Sequence, residues 1–512
     1  METIRACIEQ HAASSPARDF LIAPESGQRL NFAQLKTAVD ELGDGLDRLG
    51  LGQGARVAFL LNNGFWTTRL FLGVMANNRV IVPLNAVAGN LQLVHVLDHS
   101  DAEVVFVAPG YRDKLDEIMA QVERPIRVIE MDDEDGPEWP EDTSPVESPP
   151  PPTAADTALL LYTSGSTGLP KGAVLSHRAV TSGGRNVVEG HQLQADDRAL
   201  CVLPVYHING AMVTVSAPLY SGSSVVMPQR FSATDYWRLV AENHCTWSSI
   251  VPTIIKYLLD RAAQEPYDFG NDERLAGFRF ARSASAPLAA VTLAQWEQTF
   301  KVPMIETLGL TETAGTVASN PQPPASRKPG SVGLPYGNEI IIVDDQGREC
   351  PPQVVGELIM RGSNLLDLYY KNPEATADSI RDGWFYSGDL GKKDEDGYIF
   401  ITGRSKELII RGGENIAPRE IDDVLYKHEA ILEAAAVGVD DENYGQEVVA
   451  CVVLRDGYQC SEDELKSFCE AGVGKYKAPK IIYFFDDLPK GPSGKILRLK
   501  LPELIEKATA GE

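Results

Sequence analysis

Short runs of consecutive apolar residues, separated by segments of helical spacing, organise the first half of this chain. Residues 57–61 form one such run, 65–75 carries apolar residues at helical intervals, and 80–83 forms a second run. A strand that is apolar at every position, rather than at every second one, is covered on both faces. The order strand, helix, strand then predicts a parallel βαβ unit. Similar runs recur at 104–107, 126–129, 159–162, 201–205, 224–227 and 247–251, many of them separated by helix-like segments. The expected fold is α/β, with parallel-rich sheets covered by helices.

Past Gly403 the pattern changes. Helices are predicted over 421–426 and 462–470, and strands over 433–439, 448–454 and 481–485. About 110 residues suffice for a small α+β domain. The expected division is therefore 1–403 for a large domain and 404–512 for a small, mobile one. The charged stretch Arg404-Ser405-Lys406-Glu407 reads as an exposed hinge between them. Residues 132–156 are acidic and proline-rich, with four consecutive prolines from Pro149 to Pro152, and read as an exposed connection. No internal repeat is visible.

At 512 residues, 43% hydrophobic and 23% charged, the composition is that of a globular protein with more than one domain. Acidic residues outnumber basic ones by 72 to 47, a net charge of −25, which argues against nucleic acid or an anionic membrane as partner. Any anionic ligand must then be met by local basic groups. The first residues lack a basic segment followed by an apolar core, no run of about 18 apolar residues suggests a span, and the last residues carry no address signal. Seven cysteines without Cys-x-x-Cys spacing suggest reduced thiols and no zinc site. The expectation is a cytoplasmic enzyme without membrane insertion, monomeric or homodimeric.

The strand ending at Leu161-Tyr162 runs into Thr163-Ser164-Gly165-Ser166-Thr167-Gly168-Leu169-Pro170-Lys171-Gly172. Glycines allow close approach to a polyanion, successive amides form a concave anion site, hydroxyls add donors and the lysine adds charge. It is not a Walker loop, because Pro170 precedes the lysine and Gly172 follows it. Composition alone leaves this run open between a Ser/Gly surface turn and a phosphate-holding loop.

The order of the run resembles the signature loop of the adenylate-forming enzymes, which include acyl-CoA synthetases, luciferases and peptide-synthetase adenylation domains. Three further elements follow in family order: Leu308-Gly309-Leu310-Thr311-Glu312, Trp384-Phe385-Tyr386-Ser387-Gly388-Asp389, and Pro489-Lys490-Gly491-Pro492-Ser493-Gly494-Lys495. The resemblance implies ATP, Mg²⁺ and coenzyme A as cofactors and co-substrates. It places the loop, Ser285-Ala286-Pro287, Leu308 and Gly309 around the nucleotide, with Leu308 where the family carries an aromatic. It gives Thr311 to the AMP phosphate, and Glu312 with Thr167 to the metal. Asp389 goes to the ribose, Arg404 to ribose or phosphate, and Lys406 to the hinge. Lys495 is implied to be the catalytic lysine of adenylation, with His207 also counted as catalytic. Arg411-Gly412-Gly413 would line a thiol tunnel, and Lys475 and Lys477 would receive CoA phosphates.

The acyl pocket of such enzymes would draw on His207, Asn209, Gly210 and Val251. Arg230, Arg282 and His207 are the groups able to pair with a second acidic function, and the surrounding segments look most like oxalate-type short-acid CoA ligases. The expected reaction is ATP-dependent acyl-adenylate formation with loss of pyrophosphate, then thioester formation, on a short polar acid such as oxalate, malonate or sulfoacetate. The alternatives are a medium-chain or aromatic acyl-CoA synthetase, an adenylation enzyme loading a carrier protein, and a non-catalytic or luciferase-like relative.

Overall fold

The computed structural model describes residues 1–132, 135–141, 145–163, 169–264, 272–491 and 495–510. The uniformly apolar strands are covered on both sides, as their composition demands. One sheet of eight strands runs in the order Leu368–Tyr369, Lys171–Ser176, Thr157–Thr163, Val80–Pro83, Arg56–Leu60, Val104–Val107, Arg127–Asp132 and Gly136–Pro137. Its central pairs are parallel and its two ends antiparallel. A nine-stranded sheet has the same character, with a parallel centre of Asp19–Ile22, Ser224–Val226, Arg198–Leu200, Trp247–Ile250, Phe280–Ser283 and Met304–Leu310.

Alternate side chains of each strand enter different cores. Val57, Phe59 and Leu61 join Leu21, Val225, Trp247 and Phe280 in one large core between the sheets, filled by the helices Phe32–Arg48, Phe65–Ala76 and His177–His191. Ala58, Leu60 and Val82 face outward onto the helices Asn90–His99 and Arg112–Met119. Ile22, Leu200 and Ile250 face the helices Tyr236–Glu242, Pro252–Gln264 and Ala290–Phe300 on the far side. A third, antiparallel sheet holds Trp384–Lys393 against Ile399–Arg404 and leads into the last unit. There the strands Ile431–Asp441, Gly445–Leu454 and Ile481–Phe484 pack under helices on both faces. Among the described residues no helix is long and apolar enough to cross a membrane. All seven cysteines are free thiols.

Two expectations need correction. The run 201–205 is not a strand: the strand ends at Leu200. The side chain of Asn63 takes over the backbone there, donating to Leu203 O at 2.9 Å and accepting from Val205 N at 2.9 Å. The acidic connection is exposed over much of its length, yet it is strapped to the large domain. Gly136–Pro137 adds to the eight-stranded sheet, Trp139 packs on the large core, and Pro150 O accepts from Asn78 at 3.0 Å.

The same strap is anchored at Asp47, which accepts from Ser148 and pairs with the fully buried Arg79. Arg79 also donates to Leu51 O at 3.0 Å and Asn77 O at 2.8 Å. Removing the carboxylate leaves a buried guanidinium without its counter-charge. Asp47→Ala is expected to cost about 3–5 kcal/mol, read as a lower midpoint of urea unfolding. A change below about 1 kcal/mol would mean that the backbone carbonyls alone satisfy Arg79.

Candidate active site

A cleft of about 650 Å³ opens where the ends of both parallel sheets meet the antiparallel sheet and the C-terminal unit. Thr163 and Lys171 face each other across the hairpin that the Ser/Thr/Gly run joins, and both line the cleft. Residues 164–168 (Ser164, Gly165, Ser166, Thr167 and Gly168) lie outside the described residues. Opposite, the strand Met304–Leu310 ends in a tight turn bringing Gly309, Thr311 and Glu312 into the wall. Thr313 fixes that turn, accepting from Leu310 N at 3.0 Å and donating to Gly315 O at 2.7 Å. A Cβ on Gly309 would stand 2.4 Å from Gly315 O, so only glycine fits beside the neighbouring strand.

The charged side of the cleft is built from paired groups. Tyr369 donates to Glu312 Oε1 at 2.9 Å, and its ring lies 5.4 Å from Lys171 Nζ. Arg404 Nε donates to Asp389 Oδ1 at 2.7 Å, the two being cross-strand partners. Burial raises the pKa of Asp389, opposed by Arg404 and Lys495; Asp389 in turn raises that of Arg404. Lys495 reaches this corner from the C-terminal unit, as do Lys406 and Glu407. Burial lowers the Lys495 pKa, Arg404 lowers it further, and Glu407 and Asp389 oppose both.

The other side lies between the end of the nine-stranded sheet at Phe280–Ser283 and the π-helical turn Asn209–Ser216. Asn209 is fixed by Ser249, which donates to its Oδ1 at 2.7 Å, and its Nδ2 donates to Ser285 at 3.4 Å. Ser285 holds a left-handed φ of 69°, a strained conformation that the surroundings must impose. His207 accepts from Asn209 N at 3.2 Å through Nδ1, leaving Nε2 as the protonated nitrogen, and burial pushes its pKa down to about 4. Arg282 lines this end and is 1% exposed. Its Nη2 donates to Thr307, while Nε and Nη1 have no partner among the described residues, and burial pushes its pKa down to about 9. A buried guanidinium with two nitrogens unpartnered among the described residues carries a desolvation cost that none of those residues offsets.

The remaining expected residues fall elsewhere. Arg230 and Val251 line a second cleft of about 370 Å³ that shares only His207 and Ser285 with the first. Arg230 therefore does not join Arg282. Gly210 is not in the wall; its missing side chain makes room for Pro204 O, which a Cβ would approach to 2.2 Å. Leu308, Ala286 and Pro287 also stand outside the wall. Arg411 lies between the rings of Tyr444 and Tyr476, at 4.6 and 4.7 Å, and pairs with Glu447. Gly412 and Gly413 hold φ of 58° and 86°, Lys477 pairs with Glu420, and Lys475 is exposed. None of these five lines the cleft.

The model for "AMP-binding enzyme" matches residues 8–370, and that for "AMP-binding enzyme C-terminal domain" matches 420–495. The chain belongs to the AMP-binding enzyme family. This AMP-binding enzyme is 44% identical to the sulfoacetate–CoA ligase of Cupriavidus necator, over 98% of this chain and 97% of that one. It is 40% identical to an oxalate–CoA ligase of Arabidopsis thaliana, over 67% and 66%. Its structure is similar to ATP-bound MatB from Rhodopseudomonas palustris, at a TM-score of 0.88, 29% identity and 99% coverage of both chains. Against apo MatB, at the same identity and coverage, the TM-score is 0.77.

Tyr369 and Glu407 were not apparent from the sequence of this AMP-binding enzyme. Tyr369 belongs to a Tyr-Tyr-Lys-Asn stretch without a glycine-rich or charged signature, and only pairing of Leu368–Tyr369 with Lys171–Ser176 brings it to Glu312. Arg282 supplies a stability test of the site. A buried cation replaced by an apolar group of similar length ceases to be a burden, so Arg282→Met is expected to stabilise the ligand-free protein by about 1–4 kcal/mol in denaturant unfolding. Destabilisation by a similar amount would show that Thr307 and the surrounding carbonyls already satisfy the charge.

Proposed function

We propose that this enzyme is an AMP-forming acid:CoA ligase acting on a short acid that bears a second anionic group, of the oxalate, malonate or sulfoacetate type. The observation that carries the choice of acid is Arg282, a buried, half-partnered cation at the narrow end of the cleft. A monocarboxylate with an apolar chain would leave that charge unanswered, a penalty that makes hydrogen-bonding sites strongly selective. Medium-chain and aromatic acids are disfavoured on the same ground. The names of the similar ligases support the reading.

In this scheme one carboxylate oxygen of the acid attacks the α-phosphorus of ATP, and the bond to pyrophosphate breaks. Lys171 and the hydroxyls beside it hold the phosphates, and Asp389 and Arg404 hold the ribose and α-phosphate side. Lys495 stands between the two anions, where its charge offsets their repulsion as negative charge gathers on the phosphoryl oxygens. The donor set fits Mg²⁺: the Glu312 carboxylate, kept in place by Tyr369, is the hard oxygen ligand that a cation between phosphates needs. When bound, the ion neutralises charge on the leaving pyrophosphate. Neutral His207, protonated on Nε2, is suited to donate to the acid's reacting carboxylate. A CoA thiolate then attacks the acyl carbon and AMP departs.

We assign residues 1–403 to the nucleotide- and acid-binding domain and 404–512 to a mobile domain turning at Lys406. Lys495 in the cleft, and Arg411, Gly412 and Gly413 outside it, fit the adenylating arrangement. Rotation would withdraw Lys495 and bring the Gly413 face, with Lys475 and Lys477, toward the thiol. A cytoplasmic location agrees with seven free thiols.

Pyrophosphate release with MgATP and a panel of acids, with and without CoA, tests the reading. One short dianion is expected to support release and to yield its thioester; preference for octanoate or benzoate would overturn the choice of acid. Release without any CoA turnover would point to a carrier protein as acceptor. Arg282→Met is expected to lower kcat/KM for the dianion by about 100-fold or more, as losing a buried ion-pair partner implies. Lys495→Ala is expected to slow adenylation by about 10²–10³-fold while sparing thioester formation from supplied acyl-AMP. Because burial and Arg404 lower the Lys495 pKa, the charged form is lost below its ordinary 10.5. Adenylation by the unmodified enzyme should therefore fall as pH rises through that lowered value, and Lys495→Arg should move the fall to higher pH.

A further inference from the structure

We infer that His95 and His99 are positioning residues that brace both legs of the phosphate-loop hairpin from outside the cleft, an inference that rests on the nucleotide-binding reading of that loop. The two lie four residues apart on the helix Asn90–His99, hence on one face, with rings stacked at 5.0 Å. His95 Nε2 lies 3.2 Å from Pro170 O, the last residue before Lys171. A carbonyl only accepts, so this nitrogen carries the proton. His99 Nδ1 lies 2.8 Å from the hydroxyl of Tyr162, the residue before Thr163. One rigid face thus grips the chain as it enters the Ser/Thr/Gly run and again as it leaves.

The surroundings make this grip firm. The Tyr162 ring meets both imidazoles edge-on, at 6.4 and 5.8 Å, and Tyr370 meets His99 at 5.8 Å from the other side. Tyr370 N donates to Gly172 O at 2.7 Å, extending the brace to the residue after Lys171. Neither histidine lines the cleft, so neither touches the nucleotide. Their effect would pass through Thr163 and Lys171, which stand opposite each other where the hairpin opens. Donors that are already fixed when a polyanion arrives need no reorganisation, whereas a loose glycine-rich loop must be ordered on binding.

The test is direct titration with Mg²⁺ and α,β-methylene-ATP, alongside steady-state kinetics. His95→Phe keeps the ring but removes the N–H; it is expected to weaken analogue binding and raise KM for ATP about 5–10-fold, the worth of one hydrogen bond. Turnover number and KM for the acid should stay within about twofold, because the groups around the acid are untouched. His95→Gln, which retains a donor, should recover most of the affinity, and Tyr162→Phe should repeat the loss from the other leg. Unchanged analogue binding in His95→Phe would overturn the inference, as would ATP, acid and kcat effects moving together. Failure of the unsubstituted protein to bind the analogue would instead overturn the nucleotide reading of the loop.

Discussion

Lys495 keeps its charge in the cleft against its own burial and the positive charge of Arg404 beside it, and Glu407 and Asp389 oppose both. That balance is the constraint around which the site is built. The protein carries a net charge of −25, yet Lys171, Arg404 and Lys495 all reach one cleft, with Arg282 at its far end. Like charges gathered in one cleft repel one another unless opposite charges are placed among them. The structure spaces carboxylates among them: Asp389 against Arg404, Glu312 under Tyr369, Glu407 behind Lys495. An ATP molecule with its metal would add charges to a framework already near local neutrality, so binding need not rearrange it.

Arg282 is the exception. Burial works against its charge, and Thr307 answers only one of its three nitrogens. Burying a charge with so few partners works against the stability of the protein. Arg79, equally buried, is the contrast: Asp47 and two carbonyls answer it, so its charge holds the fold together.

Much of this was legible in the order of residues. Apolar runs at 57–61, 80–83, 104–107 and 159–162 became parallel strands because nothing else hides a segment apolar on both faces. The run 201–205 misled, since its backbone partners belong to Asn63, about 140 residues away, a contact no local pattern encodes. Which of Arg230 and Arg282 is buried was equally invisible: Arg230 follows the strand Ser224–Val226 while Arg282 lies within Phe280–Ser283, and only the packing of neighbouring strands puts Arg282 at 1% exposure and Arg230 in a separate cleft. Gly210 carried the opposite lesson. Its small size suggested room for a ligand, but the space is taken by the backbone of Pro204.

The C-terminal unit shows how a lysine in an exposed-looking Pro/Gly loop acquires a defined position. Arg498, three residues past Lys495, donates to Asp422 at 2.6 Å and to Glu407 at 3.3 Å, and also reaches Ala436 O. Asp422 is itself buried and accepts from Ala436 N at 2.7 Å, so the segment carrying Lys495 is bolted to the core of the small unit and to the turn beside Lys406. All these partners lie past residue 403. The network that fixes the segment carrying Lys495 is therefore internal to the C-terminal unit, and Lys495 enters the cleft from a rigidly held segment.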